Sequence, residues 1–246
     1  MSLLQTLACM LLITVPTAAW ADLRVNATRV VHQSGSNTTT SIRIQNVGTL
    51  PSLIQSWIDD GDEDAPLERL RPALFVTPPA FRLDAGSNRD IQIRAADTSS
   101  LPKDRESLLW LNIVDVPARA TSTAPRSLEF AMRWRLKVFH RPAGLPGSAD
   151  AAPLALQWQL RTDLQGRAVL QATNATPYFV SLAQLTLGGQ PIPLDASAAQ
   201  VPPKGQWTHV LPNAPVLRRS DVPLSVGWID ARGLEQQIQT HASGTD

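Results

Sequence analysis

Residues 128–138 read Leu-Glu-Phe-Ala-Met-Arg-Trp-Arg-Leu-Lys-Val, and this stretch decides the fold class. Its even positions carry only apolar side chains, whereas its odd positions carry Glu129, Ala131 and then three cations. Because successive side chains of a β-strand point to opposite faces, this alternation predicts a strand with one apolar and one polar face. A strand of this length would extend about 35 Å, which is long for a small β-sandwich.

Shorter runs elsewhere follow the same pattern. Apolar and polar residues alternate in 41–45 and 90–94, and 108–113 is a continuous apolar run typical of a strand buried on both faces. Turn-forming residues separate these runs, at 34–37, 60–62 and 84–87. Short strands at this spacing predict an all-β protein built as a β-sandwich rather than a parallel α/β sheet.

The composition changes once along the chain in a way that predicts a domain boundary. Residues 142–153 are rich in Pro, Gly, Ala and Ser, as expected of a hinge, and alternation resumes in 154–160 and 178–182. The 20 prolines of the chain also argue against long helices. We therefore predict two β-sandwich domains, an N-terminal one over 22–143 and a C-terminal one over 144–246.

The first 21 residues contain no Asp, Glu, Lys or Arg. An apolar run over 7–15 is followed by Ala19-Trp20-Ala21, which predicts a signal peptide at 1–21 that is cleaved before Asp22. A membrane anchor is the alternative, but it needs about 20 apolar residues and this run is interrupted by a proline. Because Cys9 is the single cysteine, the mature chain would fold in an oxidising compartment without disulfides.

Composition and motifs give little support for catalysis. Lys and Arg total 22 and Asp and Glu total 21, so the formal charge of +1 provides no general field for binding nucleic acid. Phosphate-binding glycine loops and a GxSxG nucleophile elbow are absent from the sequence. An acidic turn at 60–64 lacks the terminal glutamate of a calcium loop, which favours a solvated turn. The four histidines do not fall at metal-ligand spacing: His32, His140, His209 and His241. We expect no enzyme activity, no metal and no cofactor.

Five stretches of the sequence together match a known pattern. They are Thr28-Arg29-Val30-Val31, Gln55-Ser56-Trp57, 102–112 with Asp104-Arg105-Glu106-Ser107, 136–142 with Lys137 and Arg141-Pro142, and Asn174-Ala175-Thr176-Pro177-Tyr178. In this order they resemble the periplasmic pilus (fimbrial) chaperones of the chaperone–usher pathway. The resemblance implies two immunoglobulin-like β-sandwich domains set at an angle with a cleft between them. It also implies a periplasmic, non-catalytic protein that binds pilus subunits and delivers them to an outer-membrane usher.

The resemblance implies three groups of site residues. The alternating strand would complete an unfinished subunit by donor-strand complementation, a form of β-augmentation, through Leu128, Phe130, Met132 and Trp134. Two cleft cations would anchor the C-terminal carboxylate of the subunit: Arg29 and Lys137. A salt-bridge network would join the domains: Glu106, Arg141 and Asp230. On pattern alone, the same residues also fit an ordinary edge or core strand, solvated cations and separate surface ion pairs.

Two other functions remain as alternatives to a chaperone. One is a structural pilus subunit or surface adhesin, and the other is a periplasmic hydrolase on a sandwich scaffold. We also expect no nucleic-acid partner, no direct membrane insertion, and self-association of the unloaded chain through its open donor strand. The connection over 117–127 is short, as in the subfamily that assembles rod-like pili, and the sequence leaves open whether the Pro78-Pro79 bond is cis.

Overall fold

The computed structural model describes residues 22–35, 38–118, 130–195, 198–211 and 221–244. The predicted signal peptide at 1–21, the predicted donor residue Leu128 and most of the connection over 117–127 lie outside these residues. Within the described residues, the regular structure is almost entirely β-strand, with two 3-10 helices at Leu67–Arg69 and Ala152–Ala155. The prediction of an all-β protein is therefore confirmed.

Two sheets face each other in the N-terminal domain, and its strands are numbered in chain order. The first sheet has the order β1-β3-β7-β5, with β1 at Leu23–Val25, β3 at Thr40–Asn46, β7 at Asn88–Ala95 and β5 at Leu74–Thr77. The second has the order β2-β9-β8-β4-β6, with β2 at Arg29–Gln33, β9 at Met132–Arg141, β8 at Ser107–Pro117, β4 at Ser52–Asp59 and β6 at Ala80–Leu83.

The C-terminal domain contains eight strands that are linked by hydrogen-bonded pairing. Their order is β13-β12-β16-β17-β10-β11-β15, and β14 pairs with β12. The strands are β10 Gln157–Thr162, β11 Ala168–Asn174, β12 Val180–Leu187, β13 Gln190–Ile192, β14 Gln200–Val201, β15 Gly205–Val210, β16 Asp221–Ile229 and β17 Glu235–Gly244. Among the described pairings, those within the domain are antiparallel except for β10 with β17.

Each domain has its own hydrophobic core, which confirms the prediction of two sandwich domains. Alternate residues of the strands supply these cores, as in β3, where Ile42 and Ile44 are buried and Ser41 is exposed. This inward and outward alternation is the physical basis of the period-two pattern in the sequence. The domain boundary at 143/144 remains a prediction.

The hinge after β9 is attached to the C-terminal domain. The Tyr178 hydroxyl donates to the carbonyl oxygens of Leu145 and Gly147, at 3.4 and 3.2 Å. Gly144 and Gly147 have φ angles of 78° and 76°, a backbone region that glycine adopts without steric penalty. The glycines in the predicted hinge therefore allow two sharp changes of chain direction.

Two further observations concern the described residues only. The cis peptide bond lies between Thr77 and Pro78, one residue earlier than the Pro78-Pro79 bond that the sequence left open. Within the described ranges, no helix has the length and apolar character needed to cross a bilayer.

Candidate functional site

Strand β9 is flanked differently along its two halves. It pairs with β8 in antiparallel fashion from Met132 to His140, but with β2 in parallel fashion only from Lys137 to Arg141. Within the described part of the chain, no strand covers the outer edge of residues 132–136. We call this segment, 132–136, the open half of β9, and 137–141 the covered half. An open edge presents backbone N–H and C=O groups that can pair with another chain.

Side-chain burial also changes along the alternating run. Phe130, just before β9, and Met132 are 65% and 48% exposed, so both apolar side chains remain largely accessible. Trp134 instead packs against the core of the N-terminal domain, and Leu136 is buried in that core. The structure therefore separates Trp134 from Phe130 and Met132, the other described members of the predicted donor set, because Trp134 packs against the core and the other two are exposed.

The two predicted anchor cations lie side by side where the open half of β9 ends. Arg29 is the first residue of β2, and its Cα is the register partner of that of Lys137. Arg29 crosses to the C-terminal domain, where its Nη1 donates to the Ser181 hydroxyl and to the Ile229 carbonyl oxygen, both at 3.0 Å. The Nε of Arg29 is buried and has no hydrogen-bond partner within the described structure. The structure thus brings both cations together at the boundary between the domains.

Burial and mutual repulsion act on these two cations. The pKa of Lys137 is lowered to about 8 by burial and by the charge of Arg29, while Asp195 acts in the opposite direction. Burial also lowers the pKa of Arg29, and the negative charge of Asp230 partly offsets this. Two cations held close together and partly dehydrated form a site that an anion would stabilise.

Glu106 and Arg141 form the predicted ion pair. The Arg141 Nε donates to a Glu106 carboxylate oxygen at 2.7 Å, and Glu106 is 3% exposed. The other carboxylate oxygen accepts from the backbone N–H of Phe179 at 2.8 Å, and the Glu106 N–H donates to the Pro177 carbonyl at 2.9 Å. Because Phe179 and Pro177 belong to the C-terminal domain, this buried carboxylate contacts both domains.

Asp230 differs from the predicted three-residue network. Among the described residues, its carboxylate pairs with Arg232 at 3.0 Å and accepts the backbone N–H groups of Arg232 and Leu234. The Leu234 N–H is the main reason why the pKa of Asp230 is lowered. The Asp230 carboxylate therefore closes its own turn by binding Arg232 and Leu234 instead of Arg141. It acts on Arg29 through its negative charge, without a direct hydrogen bond between the two in the described structure.

The C-terminal side of the cleft was not predicted from the sequence. Ser181 accepts from Arg29 and donates to the Gln200 side-chain oxygen at 2.8 Å. Phe179 stacks obliquely on Phe139, with ring centroids 5.6 Å apart. The sequence signal for these contacts was weak. A serine on β12 and a glutamine on β14 resemble ordinary surface residues until the two domains are placed together.

The described histidines do not form a metal site. His32 and His140 are buried and stacked, with ring centroids 5.7 Å apart, and burial lowers the pKa of each. The described residues contain no group of three or more His, Cys, Asp or Glu side chains arranged to hold a metal ion. The two imidazoles instead pack between the sheets of the N-terminal domain.

Fold and site together define a class of protein: two β-sandwich domains with a cationic cleft between them and a strand edge that is open next to it. Models of known families identify the class further. Residues 22–146 match the family described as "Pili and flagellar-assembly chaperone, PapD N-terminal domain", and residues 151–240 match "Pili assembly chaperone PapD, C-terminal domain". The chain belongs to the pilus-assembly chaperone family.

Individual relatives agree with this assignment. "Probable fimbrial chaperone YadV" of Escherichia coli (strain K12) is 39% identical over 180 residues, which cover 71% of this chain and 72% of the relative. "Chaperone protein FimB/FhaD" of Bordetella pertussis is 38% identical over 186 residues, or 74% of each chain. The solved structure of the Salmonella enterica SafA pilin with the SafB chaperone contains a chain that superimposes with a TM-score of 0.72 at 27% identity, covering 90% of this chain and 95% of that one.

Membership in this family confirms the resemblance recognised in the sequence and the prediction of a pilus-assembly chaperone. A structural pilus subunit or adhesin is not favoured.

Proposed function

We propose that this chaperone is exported to the periplasm with its signal peptide at 1–21, binds pilus subunits through β9 and the cleft cations, and delivers them to an outer-membrane usher without a catalytic step. The observation that carries the proposal is the open half of β9, which ends at the Arg29–Lys137 pair. The SafA–SafB structure supports it, since it holds a pilin together with a chaperone of the same fold.

The position of β2 sets the direction of the bound subunit strand. Because β2 runs parallel to β9 and begins at Arg29, a subunit strand on the open half would occupy the same line ahead of β2. If that strand also runs parallel to β9, its C-terminal end meets Arg29 and Lys137. The terminal carboxylate would then lie between the two cations, next to the unused Nε of Arg29. A parallel subunit strand would therefore pair with the open backbone edge of β9 and also place its terminal carboxylate at the two cations.

Apolar burial of the described donor side chains matches only the lower end of the cost of association. Phe130 and Met132 are the exposed donor side chains of the described segment, and burying each contributes about 1.5–3 kcal/mol. Association opposes this with roughly 4–15 kcal/mol. Charge-assisted hydrogen bonds from Arg29 and Lys137 would add about 1.5–3 kcal/mol each. They would also select one register, because a shift by one residue turns the apolar side chains to the wrong face.

The contacts of Glu106 keep the two domains in the arrangement that forms the cleft. Its carboxylate binds Arg141 in one domain and the Phe179 N–H in the other, so the domains cannot rotate without breaking one of these hydrogen bonds. Buried ion pairs seldom add net stability, but they can specify one arrangement over others. We propose this role for Glu106 and Arg141.

The anchor can be tested with the mature protein and a candidate pilus subunit, by co-purification and by titration. Lys137→Ala and Arg29→Ala should each weaken binding by about tenfold or more, as expected for the loss of one charge-assisted contact. Lys103→Ala is the matched control, because Lys103 is exposed and lies outside the cleft. Full binding by Lys137→Ala would contradict the proposed anchor.

A further inference from the structure

The open half of β9 has a second side that donor-strand pairing does not use. Its odd residues, Arg133 and Arg135, point to the outer face of the sheet, where their register partners on β8 are Val114 and Asn112. An edge segment with one neighbouring strand is expected to open more readily than a strand with two. Something other than a second strand must therefore hold this segment in place.

A buried carboxylate lies at the centre of this outer face. Asp59, the last residue of β4, is 1% exposed. One oxygen accepts from the Arg135 Nη2 and the Gly61 N–H, both at 2.8 Å, and the other accepts from the Asn112 side-chain amide at 2.6 Å. Asn112 in turn accepts from the Nε and Nη2 of Arg133, at 2.9 and 2.7 Å. Both arginines of the open half thus connect to one carboxylate.

Aromatic rings and a loop complete the arrangement. The Arg133 guanidinium lies over Trp57 at 5.3 Å, and that of Arg135 lies over Trp110 at 4.4 Å, within the range of cation–π attraction. Arg133 also donates to the Glu63 carbonyl oxygen, at 3.1 Å from both terminal nitrogens. The two arginines are consequently fixed on several sides, although they lie on a segment that pairs with one strand only.

We propose that Asp59 is a positioning residue that, through Asn112, Arg133 and Arg135, holds the open half of β9 ready to receive a subunit strand. The inference rests on the proposed function. A carboxylate removed from water requires compensating charge and hydrogen bonds, so its partners have a strong preference for one geometry. Fixing the odd residues on the outer face leaves the backbone edge and Met132 presented on the other sides. A strand ordered beforehand loses less conformational entropy on binding.

The first test measures amide hydrogen exchange across β9 in the unliganded mature protein. Asp59→Asn keeps the shape of the side chain and removes its charge. The slowly exchanging amides of 132–136 should exchange about tenfold faster, which corresponds to about 1.4 kcal/mol of local opening free energy. Asp90→Asn is the matched control, because Asp90 forms a two-point ion pair with Arg43 on the exposed face of the other sheet. Unchanged exchange in 132–136, or faster exchange spread evenly over both sheets, would overturn the proposal.

Arg133→Met provides a second variant in case Asp59→Asn does not fold. It keeps an unbranched side chain over Trp57 and removes the hydrogen bonds to Asn112 and Glu63. It should also speed exchange in 132–136 by several-fold. If amide exchange in 132–136 is unchanged in this variant, the proposal is overturned just as directly.

The second test measures the rates of subunit binding. Loss of preordering should lower the association rate about tenfold and leave the dissociation rate nearly unchanged, because the bound state restores the strand. Normal association in a variant with faster exchange would overturn the positioning role. The exchange measurement needs no subunit, so it tests the positioning role even if the wild-type protein binds no subunit. A failure of the wild-type protein to bind subunits would contradict the proposed function and not the positioning role.

Discussion

The two halves of β9 belong to one strand and one alternating sequence, yet they have different environments. The covered half, 137–141, lies between β2 and β8, and its Val138 is fully buried. The open half, 132–136, pairs with β8 alone and is preceded by the exposed Phe130. The difference shows that one alternating strand can have its backbone edge covered along one half and open along the other. Within the open half, Leu136 is buried in the core whereas Met132 is half-exposed and remains available for a partner.

The largest expected effect is a loss of unfolding free energy when Glu106, the partner of Arg141 at the end of the covered half, is removed. Glu106→Ala removes the partner of Arg141 and the acceptor of the Phe179 N–H. Breaking a buried ion pair on one side typically lowers the unfolding free energy by about 3–5 kcal/mol. Denaturant unfolding measures this change, and Asp104→Ala is the control, since Asp104 forms an exposed interdomain pair with Lys204. Equal unfolding midpoints for the two variants would show that the buried pair has no special role.

A second prediction contrasts the two ends of the open half, where Leu136 is buried and Met132 is exposed. Leu136→Ala creates a cavity in the N-terminal core and should lower the unfolding free energy by about 2–5 kcal/mol. Met132→Ala removes a half-exposed side chain and should change it by less than about 0.5 kcal/mol, but should weaken subunit binding. Chemical denaturation and subunit titration together separate the two effects. A stability loss at Met132 as large as that at Leu136 would remove the distinction between core and donor side chains within the open half.

Trp134 tests where the boundary between the two roles lies. Because it packs partly against the N-terminal core, Trp134→Ala should lower the unfolding free energy by about 2 kcal/mol, less than the roughly 3–5 kcal/mol of a fully buried tryptophan. Subunit binding by the folded variant should stay close to that of the wild type. A large loss of binding with unchanged stability would instead place Trp134 with Phe130 in the donor set.

The smallest expected effect is the pH dependence at Lys137. Its pKa of about 8 lies below the usual 10.5, so between these values the unfolded chain holds a proton that the folded chain has lost. The stability contribution of this group therefore rises with pH through that window. Subunit affinity should do the opposite, falling up to about tenfold from about pH 7 to about pH 9 as the ammonium group deprotonates. Titrations at both pH values check this, and Lys137→Ala should abolish the difference.

Much of the fold follows from the sequence because period-two alternation reports burial directly. The runs at 41–45 and 90–94 are strands β3 and β7, with their isoleucines in the core as the pattern indicated. The run at 128–138 also contains a strand, but alternation cannot show which neighbours flank it. For that reason the sequence assigned Trp134 and Met132 to the same group, although only Trp134 packs on the core.

The site was only partly predictable, for a related reason. Arg29 and Lys137 were identified through family resemblance, and the structure adds the hydrogen bonds of Arg29 with Ser181 and Ile229 of the C-terminal domain. The arrangement around Asp59 was missed, because its members come from separate strands and meet only in the register of the folded sheet. The signal was present as arginines at alternate positions on β9, which face the same side as Trp110 on β8. Local spacing alone could not link them to a distant aspartate.

The start of β2 at Arg29 has a final consequence for the recognition of different subunits. In the proposed complex, this residue is a fixed endpoint, since the bound chain cannot extend past a position that β2 already occupies. Subunits of any length would then be aligned at their last residue. The distance of each subunit side chain from that residue would determine which chaperone residue it contacts. Homologous subunits should consequently vary freely in overall length while keeping the distance between their final residue and the apolar positions that precede it.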